Sequence, residues 1–138
     1  MSVFNEAELA YLREDPLRLG RLATVGPDGM PHVAPLGWSL DAAATCLEIA
    51  GRNLGQSKKF RDVAATGRAA LVIDDVLPPW RPRGIEIRGE AEAVGGAFGE
   101  AAARIRLFAR RVISWGLHDG ATIEDTYRAR KIEDITHA

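Results

Sequence analysis

The most regular pattern of hydrophobic and polar positions lies between residues 84 and 93. Small or apolar residues such as Ile85 and Ile87 alternate there with charged residues such as Glu86 and Arg88. A period of two places successive side chains on opposite faces of an extended chain, so ten residues of alternation predict a half-buried β-strand. One face of this strand is expected to pack on a core and the other to meet water.

Five further short segments are rich in apolar residues. They predict strands at about residues 18–25, 31–40, 45–51, 69–74 and 104–115. The first two are joined by Pro27-Asp28-Gly29, in which proline presets φ, aspartate can cap the turn and glycine can adopt a positive φ, so a β-hairpin is predicted. The proline-rich stretch from Leu77 to Pro82 is expected to form a stiff loop.

Two helices are predicted from their end signals. Asn5 followed by Glu8 is a capping box that opens a short helix through about Arg13. A second helix covers about residues 55–66, with Gly67 as its C-terminal stop. The buried side of the first helix is predicted to hold Leu9 and Leu12, and that of the second Phe60, Val63 and Ala64.

Six short strands with a helix inserted midway predict a mainly β fold with inserted helices (α+β), arranged as a small split β-barrel of antiparallel strands. The 138 residues, 46% of them hydrophobic, are expected to form a single domain over 1–138 with a core of its own. A short Ala-rich helical turn is expected after Gly96. Residues 117–138 are polar, and they are expected to be a tail or a short helix.

Composition narrows the classes of function. A net charge of −1 gives no basic excess for binding nucleic acid, and the one cysteine, Cys46, allows no internal disulfide. No cluster of Cys and His has metal-ligand spacing, and no phosphate-binding glycine motif or nucleophile elbow is present. The N-terminus lacks the features of a signal peptide, and no apolar run approaches membrane-spanning length, so a cytoplasmic protein with no membrane partner is expected.

A basic helix start is the strongest candidate for chemistry. Gln56, Ser57, Lys58 and Lys59 follow Gly55, which permits close approach of the backbone. The first N–H groups of a helix are unpaired and its dipole favours an anion, so these residues are expected to hold a phosphate, with Lys58 supplying the charge, Ser57 donating a hydrogen bond, and Gln56 and Lys59 assisting. The two lysines also fit an ordinary solvated face of the helix.

Other side chains allow two interpretations. Trp80 and Trp115 could be core aromatics or the walls of a pocket for a flat ligand. His32 has no recognisable catalytic partner and is expected to be structural. The arginines between residues 81 and 111 could be surface charges balanced by glutamates, or could line a groove for an acidic ligand.

Several segments together resemble a known family. They read LATVGPDGMPHVAPL, SKKFRD, ALVIDD, WRPRGIEIRGEAE and RRVISWGL, and they span about residues 5–117. The chain resembles the pyridoxamine 5′-phosphate oxidase-like split β-barrel proteins, which bind flavins or deazaflavins, and particularly the branch that uses coenzyme F420. The last two segments are similar to the subgroup that contains the deazaflavin-dependent reductase of tetracycline biosynthesis.

The resemblance implies a homodimer with two cofactor sites at the subunit interface. Reduced deazaflavin would pass a hydride to an electron-poor C=C or C=N bond of a small organic substrate, such as a polyketide. The cofactor carries that chemistry, so no catalytic residue is assigned. The candidate cofactor-binding residues are Pro35, Leu36, Gly37, Ile49, Ala50, Gly51, Gln56, Ser57, Lys58, Lys59, Arg61, Trp80, Arg81 and Trp115.

Two alternatives stay open at this stage. One is an FMN-binding oxidoreductase of the same superfamily, which would need no cations beyond the phosphate, whereas Lys59, Arg61 and Arg81 could meet the acidic tail of the deazaflavin. The other is a flavin or deazaflavin carrier without turnover, in which bulky side chains would close the space above the ring. Dimerisation is further expected because Trp38 and Trp115 are predicted to be exposed wall residues.

Overall fold

Eight antiparallel strands form one sheet in the computed structural model, which describes residues 2–96 and 102–133. The strand order is β2-β1-β5-β6-β7-β4-β3, and β8 also pairs with β7. Two α-helices complete the described structure, so the prediction of a mainly β fold with inserted helices is confirmed. The strands are β1 (Gly20–Val25), β2 (Pro31–Leu36), β3 (Ser39–Leu40), β4 (Leu47–Ala50), β5 (Arg68–Leu77), β6 (Arg81–Val94), β7 (Arg104–Trp115) and β8 (Arg128–Lys131); the helices are α1 (Glu6–Leu12) and α2 (Lys58–Thr66).

The capping box at the start of α1 is confirmed. The Asn5 side chain accepts a hydrogen bond from the backbone N–H of Glu8 at 2.9 Å, and the Glu8 carboxylate accepts one from the backbone N–H of Asn5 at 2.9 Å. Both bonds satisfy donors that a helix start would otherwise leave unpaired. Leu12 is buried as predicted, whereas Leu9 is only partly buried.

The hairpin of β1 and β2 is confirmed, but the second predicted strand is shorter than expected. Gly29 takes φ 81° in the turn and its N–H donates to the carbonyl of Gly26 at 3.0 Å. The predicted strand over residues 31–40 is interrupted after Leu36, and Ser39–Leu40 pairs with β4 instead of β1.

Trp38 lies in this interruption and corrects a second expectation. Its indole N–H donates to the carbonyl of Arg18 at 2.6 Å, and the residue is only 8% exposed. The prediction that Trp38 is an exposed wall residue is therefore wrong. Turning the indole inward satisfies its one donor and buries its large apolar surface, which an extended, outward-facing strand position could not do.

The strands β5 and β6 extend further than the sequence predicted. Pairing continues to Leu77 opposite Arg81, so the expected loop over residues 77–82 is reduced to a turn at residues 78–80. β6 bulges between Arg88 and Gly89 where it pairs with β7. A side chain at Gly89 would place its Cβ 1.8 Å from the backbone oxygen of Phe108, so only glycine allows the two strands this approach.

The second helix starts later than predicted, and its predicted buried face is confirmed for Val63, in part for Phe60, and not for Ala64. Residues 54–56 form a 3-10 turn, α2 begins at Lys58 with Ser57 as its N-cap, and Gly67 ends it in the left-handed conformation as predicted. Val63 is buried, Phe60 is partly buried and Ala64 is exposed. The prediction for Ala64 is wrong because the helix turns the polar residue Asp62 inward instead.

The C-terminal segment contains a strand that the sequence analysis missed. After a 3-10 turn at Glu124–Thr126, β8 pairs with the end of β7, from Ser114 opposite Arg128 to Arg111 opposite Lys131. The expectation of a tail or short helix is therefore wrong for residues 128–131. Six strands were predicted and eight are described, the additional ones being β3 and β8. The expected Ala-rich turn after Gly96 and the last five residues lie outside the described residues.

The core is formed by the central strands together with residues of both helices, such as Leu12 and Val63. Its fully buried members come mainly from the central strands: Leu22, Leu47, Ile49, Leu71, Ile73, Ile85, Ile87, Ile105 and Leu107. The alternation of β6 is therefore confirmed for Ile85 and Ile87. No helix in residues 2–96 or 102–133 is long and apolar enough to cross a membrane.

Candidate functional site

A cavity of about 500 Å³ opens beside the start of α2. We call it the α2 pocket. The end of β4, the loop that follows it, the 3-10 turn and the first turn of α2 form its walls, together with one residue of β2. The lining residues are Leu36, Ile49, Ala50, Gly51, Arg52, Asn53, Leu54, Gln56, Ser57 and Lys59.

Ser57 shapes this pocket as the N-cap of α2. Its hydroxyl donates to the carbonyl of Leu54 at 2.6 Å and accepts from the backbone N–H of Phe60 at 3.3 Å. The backbone N–H groups of Lys58 and Lys59, the first two of the helix, have no acceptor among the residues that the structure describes. Unpaired N–H groups and the positive end of the helix dipole make this rim of the pocket suited to an anion.

The two lysines at the start of α2 have different surroundings. The Lys58 ammonium pairs with both carboxylate oxygens of Asp62, at 2.9 and 3.1 Å. Hydrogen bonds from Lys58, and from Thr24 at 2.9 Å, hold the pKa of the Asp62 carboxyl below its usual value. Lys59 lines the α2 pocket and has no ion-pair or hydrogen-bond partner within the described part of the chain. Lys58, the lysine expected to supply the charge, is thus engaged within its own helix, and Lys59 is the lysine whose charge is available to a ligand in the pocket.

Two arginines near the pocket also differ. Arg61 donates to the carbonyl of Gln56 at 2.8 Å, which ties the 3-10 turn to α2, and it does not line the cavity. Arg52 is exposed, lines the cavity and forms no ion pair with any described residue. Sequence reasoning missed Arg52, Asn53 and Leu54, although they directly follow the predicted positions 49–51 and close the same edge of the sheet.

The predicted aromatic positions lie elsewhere. Trp80 is 75% exposed, and with Arg81 it lines a second cavity of about 400 Å³ next to Gly116, which we call the β7-end pocket. Trp115 lines an adjoining apolar groove and stacks on Tyr127, with ring centroids 6.3 Å apart.

These aromatic residues and the α2 pocket lie at opposite ends of β7. Ala50, in the α2 pocket, pairs with Arg104 at the start of this strand, and Gly84, near Trp80, pairs with Trp115 at its end. The 11 steps between the first and last residues of this 12-residue strand, at about 3.3 Å each, cover roughly 35 Å. One chain therefore does not bring the two groups of predicted residues into one site.

The predicted site residues thus fall into three groups. Seven line the α2 pocket, four lie beside it without lining it, and three lie at the β7 end. The first group is Leu36, Ile49, Ala50, Gly51, Gln56, Ser57 and Lys59; the second is Pro35, Gly37, Lys58 and Arg61; the third is Trp80, Arg81 and Trp115. No group of His, Cys, Asp and Glu able to hold a metal ion occurs in residues 2–96 or 102–133.

The α2 pocket combines groups suited to a phosphate with an apolar wall. Its unpaired N–H groups and Lys59 supply donors and positive charge for a phosphate. Leu36 and Ile49 supply an apolar wall, and Gly37 leaves open space around its Cα. His32, on β2 opposite Thr24, is half-buried; it forms no hydrogen bond in the part of the chain that the structure describes, but it interacts electrostatically with the Asp62 carboxylate.

Comparison of the sequence with known proteins identifies a family. Residues 6–135 match the family model described as pyridoxamine 5′-phosphate oxidase. The chain is 40% identical over 121 residues to a 5a,11a-dehydrotetracycline/5a,11a-dehydrooxytetracycline reductase from Streptomyces rimosus, and the match covers 83% of this chain and 84% of the relative.

Solved structures share the fold at lower sequence identity. A conserved hypothetical protein from Mycobacterium tuberculosis is similar with a TM-score of 0.65 and 23% identity, over 85% of this chain and 88% of that one. An FAD-binding protein from Mesorhizobium loti has a TM-score of 0.60 and 18% identity, over 80% of this chain and 91% of that one. Together with the match over residues 6–135, these likenesses mean that the chain is a split β-barrel protein of the pyridoxamine 5′-phosphate oxidase family.

Proposed function

We propose that this protein is a reductase that uses the deazaflavin coenzyme F420 on an electron-poor C=C or C=N bond of a polycyclic, polyketide-like substrate. The observation that carries this proposal is the 40% identity to a dehydrotetracycline reductase over 121 residues. Membership of the pyridoxamine 5′-phosphate oxidase family supports the use of a flavin-type cofactor. The arrangement of the α2 pocket supports the position of its phosphate.

The phosphate binds at the start of α2 in this proposal. The backbone N–H groups of Lys58 and Lys59 donate to it, and the Lys59 ammonium adds a charge-assisted contact. Ser57 acts indirectly, because its hydroxyl already donates to Leu54 and caps the helix. The apolar side chains of Leu36 and Ile49 exclude water from one side of the bound cofactor.

We propose deazaflavin rather than FMN because positively charged side chains lie beyond the proposed phosphate position. FMN ends at its phosphate, whereas the deazaflavin continues into a chain of glutamates. Arg52 lies on the rim of the α2 pocket, is exposed and pairs with no carboxylate of the described residues. A cation in that position would contribute little to FMN binding but would attract the acidic tail. We therefore assign the tail to Arg52 with Lys59, in place of Arg61, which is bonded to Gln56.

A second copy of the chain completes the site in this proposal. Among the residues that the structure describes, none gives the α2 pocket an aromatic wall, while Trp80 and Tyr127 are 75% and 55% exposed at the far end of β7. Aromatic surface of that extent is typical of an interaction site. In a symmetric dimer, the β7-end pocket of each subunit can face the α2 pocket of its partner, which would unite the groups that one chain separates.

The bound cofactor supplies the hydride. The protein's own residues fix the phosphate and hold the ring against the apolar wall. Holding the hydride donor and acceptor face to face in this way lowers the activation free energy by several kcal/mol. Among the described residues of the α2 pocket, Lys59 and Arg52 are the only charged side chains, and this proposal already assigns both to the anionic parts of the cofactor. The proton that completes the reduction is therefore assigned to solvent.

Titration of the purified protein with each cofactor tests the proposal. We expect tighter binding of F420 than of FMN, and consumption of reduced deazaflavin in the presence of a dehydrotetracycline. Lys59→Ala should weaken both cofactors roughly tenfold or more, because it removes a charge-assisted contact. Tighter FMN binding would favour the FMN-dependent alternative, and deazaflavin binding without turnover on any electron-poor substrate would favour a carrier.

A further inference from the structure

We propose that Asp62 is a positioning residue for the phosphate end of the α2 pocket. In this inference Asp62 keeps the charge of Lys58 away from the ligand and sets the position of the α2 N-terminus, so that Lys59 is the lysine that binds. The inference rests on the proposed function for the identity of the ligand, whereas the arrangement of Asp62, Lys58 and Thr24 is independent of it.

Asp62 is enclosed by three elements. It is 3% exposed, it accepts a hydrogen bond from the Thr24 hydroxyl of β1 at 2.9 Å, and it pairs with Lys58 of its own helix at 2.9 Å. The hairpin turn closes the third side, because a Cβ at Gly26 would lie 2.8 Å from the Asp62 carboxylate. A buried carboxylate with two donors and a glycine against it is a built arrangement rather than a surface ion pair.

A second contact fixes the same helix to the same strand. Thr66, one turn after Asp62, donates to the carbonyl of Val25 at 2.8 Å. Two side chains of α2 therefore bond to consecutive residues at the end of β1, Thr24 and Val25. Contacts one turn apart restrict both sliding and rotation of the helix, so they also fix where its first N–H groups point.

The order of Lys58 and Asp62 along the helix indicates that their ion pair has a role beyond stabilising α2. A lysine at the first helical position faces the positive end of the dipole, which disfavours it. A lysine four residues before an acid is also the less favourable order of an i,i+4 pair. The pair therefore adds little to α2 as a helix. Its result is that Lys58 is absent from the lining of the α2 pocket while Lys59 is present.

Measuring cofactor affinity at several salt concentrations distinguishes a positioning role of Asp62 from direct contact between Lys58 and the phosphate. Affinity for F420, and separately for FMN, is measured from low to high salt for Lys58→Ala, Lys59→Ala, Asp62→Asn and the double variant Lys58→Ala with Asp62→Asn. Lys59→Ala should lose roughly tenfold in affinity and flatten the salt dependence, because an exposed charge contact is removed. Lys58→Ala should change affinity less than about threefold and leave the salt dependence unchanged.

Asp62→Asn supplies the decisive comparison. Asparagine keeps the shape and an acceptor for Thr24 but releases Lys58, so the salt dependence should become steeper, and Lys58→Ala in that background should remove the gain. Equal losses in affinity and salt dependence for Lys58→Ala and Lys59→Ala would overturn the inference, since Lys58 would then contact the phosphate directly. That comparison needs only the two lysine variants, so it holds even if Asp62→Asn does not fold.

Lysine acetylation tests the arrangement without a cofactor. With limiting acetylating reagent, Lys58 should react several times more slowly than Lys59, and Asp62→Asn should bring the two rates together. If neither cofactor binds the native protein while Lys58 is protected in this way, the proposed function fails and the positioning of Lys58 stands. Equal labelling of the two lysines in the native protein would overturn the positioning role itself.

Discussion

Arg130 on β8 donates hydrogen bonds to both carboxylate oxygens of Glu8 on α1, although the two residues are 122 positions apart. The Glu8 side chain is only 1% exposed. The same carboxylate caps the backbone N–H of Asn5, and Arg130 also donates to the carbonyl of Val3 at 2.7 Å. The C-terminal strand therefore neutralises the buried charge of the N-terminal capping box, and the two ends of the described chain stabilise each other.

Arg130→Ala should lower the free energy of unfolding by about 2–3 kcal/mol, measured by urea denaturation. The substitution leaves Glu8 buried without its counter-ion; the loss falls below the roughly 3–5 kcal/mol of a fully buried pair because the arginine side chain is 34% exposed. Lys131→Ala, on the same strand but exposed, is the matched control and should have little effect. Equal stability of the two variants would show that the Arg130–Glu8 pair contributes nothing.

Gly89→Ala should destabilise the protein by about 3 kcal/mol or prevent folding. The new methyl group would meet a backbone oxygen of Phe108 at 1.8 Å, and backbone in the middle of a paired strand cannot move aside as a flexible side chain can. Gly37→Ala is the control, because Gly37 has open space around its Cα and should tolerate a methyl group. Similar melting temperatures for both variants would contradict the close strand approach at the bulge.

Acid should weaken the protein partly through Glu14. Hydrogen bonds from Arg83, and then from Arg18, lower the pKa of the Glu14 carboxyl below its usual 4.5. A pKa that is lower in the folded state gives stability that is present above the unfolded value and is lost as pH falls through the folded one. We therefore expect the melting temperature to fall as pH drops below about 4.5, and Glu14→Gln to flatten that fall. An unchanged pH dependence in Glu14→Gln would contradict this assignment.

Sequence patterns predicted those elements that depend only on residues close together in the chain. The capping box at Asn5, the stop at Gly67 and the alternation of β6 each depend on a few neighbouring residues, and the structure confirms all three. β8 could not be predicted in this way. Its sequence, RARK, carries no apolar alternation, and it is a strand because β7 offers an edge and Glu8 offers a partner for Arg130.

The candidate site likewise contains parts set by neighbouring residues and parts set by contacts between distant residues. Residues 49–59 are contiguous, so sequence reasoning could place most of the α2 pocket correctly. It assigned the phosphate to Lys58 rather than Lys59 because it overlooked Asp62, which lies four residues after Lys58 and pairs with it. The burial of Asp62 against Thr24, 38 residues away in the chain, had no local signal. It also grouped Trp80 and Trp115 with that pocket, since only the pairing of the strands reveals that they lie at the other end of β7.

The proposed dimer predicts that two defective variants can repair each other. Lys59→Ala damages the α2 pocket and Trp80→Ala damages the β7-end pocket, so each homodimer should bind F420 weakly. If every site takes its Lys59 from one subunit and its Trp80 from the other, a mixed dimer contains one intact site. Random pairing of equal amounts makes half of the dimers mixed, so about a quarter of all sites should regain native affinity. The recovered fraction is measured by titration after the two variants are unfolded and refolded together.

Mixing Lys59→Ala with Arg52→Ala is the matched control for this complementation. Both residues line the α2 pocket of one chain, so every site in a mixed dimer keeps one defect and no recovery is expected. Analytical ultracentrifugation should show a species of twice the 15.0 kDa chain mass in each sample. A dimer in which the Lys59 and Trp80 variants fail to complement would mean that the exposed indole serves another surface. A species of 15.0 kDa alone would rule out the shared site altogether.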